Sequence, residues 1–229
     1  MAYCPPLFFY IVKRKSRWAT IVRSIYSPRM EIKMENRMTF SQYRRMDILI
    51  FTVLTAVFEC IATLATAKWF WSQPVAISIT LSLILIVMHR WGAYAAIVAA
   101  VGGITFCVAS GAEIEHYLIY AIGNTFAITS LIYFKIFGKE SVRKSFLKTL
   151  LFATTSYLSV VLGRWLVSLV FGAGFAELVA FLTTDLITLL FAVVILYGGR
   201  GVDGLIEDQK QYVIRVNKKE ETENVYEDE

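Results

Sequence analysis

Four strongly polar side chains lie inside long apolar stretches of the sequence: Glu59, Asn124, Arg164 and Asp185. Such a position is energetically costly, and in membrane proteins it is typical of a ligand, ion or proton site or of an internal ion pair. Arg164 and Asp185 can form a buried ion pair with each other. Glu59 has no second cation within the apolar stretches, so we expect it to be protonated, to pair with a ligand or to face water.

These residues belong to six stretches of about 20 mainly apolar residues, the length that a helix needs to cross a bilayer. The 229-residue chain is 57% hydrophobic and only 18% charged, which is more apolar than soluble domains are. No ten-residue alternating pattern of a membrane strand occurs. The sequence therefore predicts an all-α integral membrane protein of the cell membrane, a six-transmembrane-helix bundle. The predicted spans are residues 48–67, 69–88, 91–112, 116–137, 149–171 and 174–197.

Basic residues predict the orientation of this bundle. Of the 23 Lys and Arg residues, 21 fall on the side that carries both termini, one falls on the other side, and Arg164 lies within a span. Because Lys and Arg accumulate on the inner side of membranes, both termini are predicted to be cytoplasmic.

The chain divides into three parts by composition. Residues 1–45 form a basic cytoplasmic segment, residues 46–198 the membrane domain, and residues 199–229 a polar cytoplasmic tail in which residues 211–216 are expected to be ordered. The basic segment is interpreted either as an amphipathic stretch on the inner leaflet or as sequence that precedes the true start, at Met30, Met34 or Met38.

The polar residues of the spans share a depth. At 1.5 Å per residue, Glu59 and Asn124 lie about 12 Å from the outer ends of their helices, Arg164 about 10 Å and Asp185 about 16 Å. Side chains at helical spacing extend this layer into one pocket. The residues that we assign to it in this way are Glu59, Asn124, Tyr157, Arg164, Asp185, Trp71 and His116. A simpler interpretation makes Arg164 and Asp185 a structural pair and Trp71 part of an interfacial aromatic belt.

Small residues repeat along the third span at Gly92, Ala96, Ala100 and Gly103. Such spacing lets another helix approach closely, and this helix belongs either to a partner protein or to the same bundle.

No motif of ordinary catalysis occurs, neither G-x-S-x-G, H-E-x-x-H nor a Walker loop, so we predict that the chain is not an enzyme. The cysteines and histidines lack metal-ligand spacing, and neither a metal nor a cofactor is expected. Nucleic acid is not an expected partner. Because the inner halves of the spans are almost wholly apolar, a pocket open to the outside is favoured over a pore.

The stretch Arg90-Trp-Gly-Ala-Tyr-Ala-Ala-Ile-Val-Ala-Ala-Val-Gly-Gly103, together with the six spans and the cytoplasmic termini, resembles the substrate-binding S component of energy-coupling factor (ECF) transporters. The acidic loop with Glu113 sits where that family has an outer loop over its ligand. The resemblance implies that Glu113 contributes to the pocket, that Asn124, Tyr157, Arg164 and Asp185 bind the substrate, and that Gly92, Ala96 and Ala100 contact a membrane coupling protein.

The resemblance further implies uptake of a vitamin-like micronutrient, energised by two separate cytoplasmic ATPases. Two alternatives stay open at this point. One is a membrane scaffold or assembly protein like the MreD-type cell-shape proteins, which would bind no small molecule. The other is a stand-alone secondary carrier that uses Glu59 for proton coupling.

Overall fold

The computed structural model describes residues 39–70, 76–202 and 204–216. Most of the basic N-terminal segment, Trp71 and the end of the tail lie outside these residues. The chain consists of two compact units, Met1–Tyr43 and Arg44–Glu229. In the first unit, the Thr39 amide donates to Gln42 Oε1 at 2.8 Å and the Gln42 amide to Thr39 Oγ1 at 3.4 Å. This reciprocal pair is a capping box, which satisfies two amides at the start of the first helix.

Within the described ranges the chain is helical and contains no strand. This agrees with the predicted all-α class and with the requirement that backbone groups in lipid be paired internally. The helices are α1 (Phe40–Trp69), α2 (Thr80–Trp91), α3 (Ala95–Ser110), α4 (Ile114–Thr125), α5 (Ile132–Phe137), α6 (Lys139–Lys144), α7 (Phe146–Ser168), α8 (Phe175–Thr184) and α9 (Leu186–Gly199). Residues 209–216 form a further short helix, so the expected ordered segment at 211–216 is confirmed.

Four helical stretches in the described part of the chain are long and apolar enough to cross a membrane: Phe40–Trp69, Thr80–Ser110, Ile114–Phe137 and Phe146–Phe171. A fifth results if α8 and α9, which meet at an angle of 43°, are counted as one broken span.

The stretch Thr80–Ser110 is not one straight rod. A Cβ built on Gly102 would lie 2.3 Å from Thr80 Cγ2, although 22 residues of straight helix would separate these positions by about 33 Å. The chain therefore reverses direction between α2 and α3. Gly92 makes this turn possible because its φ of 62° is a conformation that glycine adopts at little cost.

Two helices differ from the predicted spans. The second span was predicted to begin at residue 69, but α2 begins at Thr80, and residues 76–79 are not helical. The sixth predicted span is interrupted at Asp185, which separates α8 from α9. In both places other parts of the protein supply hydrogen bonds that a continuous helix would otherwise make, as the site below shows.

The outer surfaces of the helices are apolar, which is typical of contact with lipid. On α1 the buried positions recur every three or four residues along one face. These buried positions are Ile48, Phe51, Thr55, Glu59, Thr63 and Thr66. The exposed faces carry residues such as Leu49, Val53, Val57, Ile61 and Leu64.

Glycines bring the helices of the bundle into close contact. A Cβ on Gly103 would lie 2.5 Å from the Tyr120 carbonyl oxygen, and one on Gly123 would lie 2.7 Å from Arg164 Cα. Gly103 of the predicted small-residue ladder thus packs within the bundle. Gly92, Ala96 and Ala100 are half-buried, so their predicted contact with a partner stays a prediction.

Candidate functional site

Arg164 of α7 is the centre of a polar cluster that joins three helices, and we call it the Arg164 cluster. Its Nε donates to Asn124 Oδ1 on α4 at 2.9 Å, and its Nη1 pairs with the Asp185 carboxylate at the α8–α9 break. The guanidinium lies 4.3 Å from the centre of the Tyr120 ring, in a cation–π contact. The charged pair is 6% exposed at both residues. Because the surroundings are apolar, losing either partner would leave an uncompensated charge.

A small cavity adjoins this cluster. Its volume is about 10 Å³, which is enough for roughly one water molecule. Its walls come from the 76–79 segment, α2, α4, α7 and the α8–α9 break. Polar side chains from each of these regions line it: Ser78, Thr80, Asn124, Tyr157, Arg164, Asp185 and Thr188. Four predicted pocket residues, Asn124, Tyr157, Arg164 and Asp185, are thus brought together around one cavity.

Glu59 joins this group through hydrogen bonds from the start of α2, which the spacing of charges along the sequence does not indicate. Its Oε2 accepts hydrogen bonds from the amides of Ile79 and Thr80, at 2.9 and 3.0 Å, and from Thr80 Oγ1 at 2.8 Å. These amides form the start of α2, where the helix dipole favours negative charge. The other oxygen, Oε1, is buried and has no hydrogen-bond partner among the described residues.

The 76–79 segment and the region of the helix break at Asp185 supply hydrogen-bond partners to each other. The Ala76 amide donates to the Thr184 carbonyl at 3.1 Å, and the Ser78 amide donates to Thr188 Oγ1 at 3.0 Å. The Tyr157 hydroxyl donates to the Leu182 carbonyl at 2.6 Å. An interrupted helix whose backbone groups face protein partners at membrane depth is typical of transporter binding sites, since irregular backbone is tolerated only where it is buried or lines a cavity.

Comparisons with protein-family models, with curated proteins and with solved structures find no match to this chain. Its function must therefore be inferred from its own residues.

Two further predicted pocket residues, Glu113 and His116, do not line the cavity. Glu113 and His116 are exposed, at the end of the bundle where α4 begins. The centre of the His116 ring lies 6.5 Å from that of Tyr120, which in turn contacts Arg164. Trp71 lies outside the described residues. Depth along the helices thus predicted the buried polar residues correctly. Glu113 and His116, which lie nearer the predicted outer surface, do not contact the cavity.

Sequence reasoning missed Ser78 and Thr80 because it placed both in a continuous second span. A signal was present: Pro74 disfavours a helical conformation at the residue before it. Tyr120 lies four residues before Asn124, on the same face of α4, but the sequence gives no reason to assign it to the pocket. Its ring contact with Arg164 depends on the crossing of α4 and α7, which a sequence pattern does not specify.

A second polar cluster lies at the opposite end of α2, and we call it the Arg90 cluster. Arg90 donates through Nε and Nη2 to Asp47 of α1, at 2.8 and 2.7 Å, and through Nη1 to the Gly204 carbonyl in the tail. Trp91 Nε1 donates to the same aspartate at 2.5 Å. The start of α1, the α2–α3 turn and the tail therefore meet at one end of the bundle.

A cavity of about 280 Å³ lies near this end, and His89, Lys139, Glu207 and Asp208 are among its lining residues. Lys139 and Asp208 pair at 2.5 Å, and Glu207 pairs with Arg215 at 2.9 Å. Within the described ranges, no group of three or more His, Cys, Asp or Glu side chains is placed to hold a metal ion.

Proposed function

We propose that this chain is the membrane substrate-binding subunit of an ECF-type importer, which binds a small micronutrient from the outside. The observation that carries the proposal is the grouping of Asn124, Tyr157, Arg164 and Asp185 around a cavity inside an otherwise apolar bundle. The break in the last apolar segment at Asp185 adds to it. Pockets for small molecules combine a few convergent polar groups with apolar walls in this way.

The proposal includes six spans and cytoplasmic termini. The reversal at Gly92 supports counting α2 and α3 as separate spans, and counting α8 with α9 as one broken span then gives six. The Arg90 cluster supports placing the start of α1 and residue 204 on the same side. The excess of Lys and Arg at that end favours the cytoplasm.

Binding requires a wall of the cavity to move. A cavity of about 10 Å³ is far smaller than the roughly 300 Å³ of a typical ligand pocket. The helical walls are held by backbone contacts at Gly123 and Gly163. The 76–79 segment is held by hydrogen bonds that a ligand can replace. We therefore place ligand entry at this segment, with the polar cluster as the floor of the opened pocket.

Transport would be energised elsewhere, by a coupling membrane protein and two cytoplasmic ATPases. Ala96 and Ala100 are half-buried at neighbouring turns of α3, and Ile97 and Ile104 beside them are exposed. A surface of small residues flanked by exposed apolar ones would let a helix of the coupling protein pack closely.

A membrane scaffold is the second candidate, and one observation favours it. Each charged group of the Arg164 cluster already has a partner within the protein, and the cavity holds about one water molecule. A purely structural cluster would have this form. In that case the cluster fixes the helices, and the chain binds other membrane proteins rather than a small molecule.

Gentle purification of the tagged protein from its host, followed by mass spectrometry of associated proteins and small molecules, distinguishes the two. The importer proposal predicts two ATPases, a membrane coupling protein and a bound micronutrient. It further predicts that Arg164→Ala abolishes ligand binding while Arg143→Ala does not, because Arg143 lies outside the cavity and pairs with Glu140. Both variants must insert into the membrane to equal levels.

Recovery with cell-envelope proteins and no saturable small-molecule binding would contradict the importer. The scaffold would then be supported if replacing Ala96 and Ala100 by leucine released those partners. Equal ligand affinity in wild type and Arg164→Ala would show that the ligand binds outside the Arg164 cluster.

A further inference from the structure

In most of the hydrogen bonds that hold the 76–79 segment, the segment is the donor. Its backbone acts mainly as a donor, since Ala76 N donates to the Thr184 carbonyl and Ser78 N to Thr188 Oγ1. In the opposite direction, Thr188 Oγ1 donates to the Ala76 carbonyl at 3.4 Å. The rest of the protein thus presents acceptors to this segment.

Displacement of the segment would leave these acceptors unpaired. The Thr184 carbonyl would lose the amide of Ala76, at a helix break where its usual intrahelical partner is missing. Buried polar groups without partners are unfavourable, so a ligand that takes this place must offer hydrogen-bond donors to them.

The Glu59 carboxyl adds a further acceptor near this set. Its Oε2 accepts a hydrogen bond from the hydroxyl of Thr80, which lines the cavity. Oε2 also accepts from the amides at the start of α2, whereas Oε1 has no hydrogen-bond partner among the described residues and Glu59 is only 1% exposed. Arg164 pairs with Asp185, and Arg164 Nε donates to Asn124. The buried group near the cavity that lacks a partner is therefore a carboxyl oxygen.

From these contacts we infer that the ligand is an organic cation with N–H donors, which bonds the unpartnered Glu59 Oε1 and takes the place of the Ala76 amide at the Thr184 carbonyl. This inference rests on the proposed function and names the chemical class of its substrate. The ligand's N–H groups replace the donors that leave, and its positive charge pairs with Glu59. Hydrogen bonds to a charged partner are about twice as strong as neutral ones.

Four probes of similar size test the charge and the donors separately. Benzamidinium has both a positive charge and N–H donors, benzyltrimethylammonium has the charge alone, benzamide has donors alone, and benzoate is an anion without donors. Binding to the full-length protein in detergent is measured by calorimetry. We expect benzamidinium to bind at least about tenfold more tightly than benzoate, with the other two between them.

Amino-acid substitutions test whether the probes bind at the proposed acceptor, Glu59. Glu59→Gln keeps the shape of the side chain and removes its charge, so it should weaken benzamidinium about tenfold and benzamide by less than about threefold. Glu140→Gln is the matched control, because Glu140 is an exposed carboxyl on α6 that does not line the cavity of the Arg164 cluster, and all four affinities should stay within about twofold. The ranking of the four probe affinities is measured on the wild-type protein, so this part of the test does not depend on whether a variant folds.

Benzoate binding as tightly as benzamidinium would overturn the inference, and so would the absence of benzamidinium binding up to about 10 mM. The small molecules that copurify separate this failure from failure of the proposed function. If the protein carries a saturably bound anion or a ligand without N–H donors, the substrate class is wrong and the importer proposal stands. If neither probes nor host extract bind saturably, both are wrong.

Discussion

The two arginine-centred clusters use the same side chain for different purposes. The Arg164 cluster joins α4, α7 and the α8–α9 break through side chains, beside a cavity. The Arg90 cluster joins the start of α1, the α2–α3 turn and the tail, and one of its acceptors is a backbone carbonyl. A cluster built from side chains around a space can change partners when a ligand enters. A cluster that joins helix ends and a backbone carbonyl fixes how these segments pack at one end of the bundle.

The partners that remain after removal of each arginine also differ. Without Arg90, Asp47 keeps its bond from Trp91 and the Gly204 carbonyl keeps one from Gln209 at 2.8 Å. Among the described residues, the charged partner of Asp185 is Arg164, and without it the aspartate charge would lie buried in apolar surroundings. The comparison therefore predicts that the same substitution to alanine lowers the free energy of unfolding by different amounts at Arg164 and at Arg90.

The largest effect is expected for Arg164→Ala. Leaving the Asp185 charge buried and unpaired should lower the free energy of unfolding by about 3–5 kcal/mol, measured by denaturant titration in detergent. The double variant Arg164→Met with Asp185→Leu removes both charges and should regain most of that stability without regaining ligand binding. A loss below about 1 kcal/mol in Arg164→Ala would show that the pair is solvated.

Arg90→Ala should have the second largest effect, a loss of about 1.5–3 kcal/mol from its charged hydrogen bonds. Because Gly204 lies in the tail, limited proteolysis should cut the tail faster in this variant than in wild type. Ligand affinity should not change, since Arg90 does not line the cavity of the Arg164 cluster. A larger loss of stability than for Arg164→Ala would reverse the comparison.

Two glycines, Gly123 beside the Arg164 cluster and Gly199 near the Arg90 cluster, allow a second comparison of the two regions. A Cβ at Gly123 would meet the Arg164 backbone at 2.7 Å, whereas one at Gly199 would meet the side-chain ends of Leu205 and Ile206 at 3.2 Å. Side-chain ends can shift and a helix backbone cannot. Gly123→Ala should therefore cost about 1–3 kcal/mol and weaken ligand binding, and Gly199→Ala less than about 1 kcal/mol.

Gly174→Ala is the control for these two substitutions, because a Cβ there meets nothing within 4 Å. Its free energy of unfolding should stay within about 0.5 kcal/mol of wild type. Equal losses at Gly123 and Gly199 would show that α4 and α7 can move apart.

The smallest effect is expected at Glu140 on α6, at the same end as the Arg90 cluster. Burial raises its pKa, but hydrogen bonds and charges from Lys144 and Arg143 together outweigh this and hold the pKa below its usual value. A lowered carboxyl pKa stabilises the fold above the unfolded-state pKa, and this contribution disappears as the pH falls through the folded-state pKa. Glu140→Gln should lower Tm by about 1–2 °C at pH 7 and not at all at the acid end of a pH series. A Tm difference that persists in acid would assign the effect to packing.

Several parts of the site could be predicted from the sequence. Helical rise and the order of the spans place Asn124, Arg164 and Asp185 at similar depths, and these residues do contact one another. The buried stripe of α1 follows from the spacing of Thr55, Glu59 and Thr63 alone. The same reasoning assigned His116 to the pocket, and the family resemblance assigned Glu113, but both side chains are exposed because they lie at the start of α4 rather than along its buried face.

The sequence by itself determined which segments are helical and apolar and which of them contain a charge that has to be paired. It did not determine the pairs. The two amides that bond Glu59, at Ile79 and Thr80, lie 20 and 21 residues from it, and the break at Asp185 lies more than 100 residues from the Ala76 amide that satisfies it. An apolar interior demands a partner for every buried polar group, but many pairings meet that demand. Only the close packing of the helices decides which donors and acceptors come within 3 Å of one another.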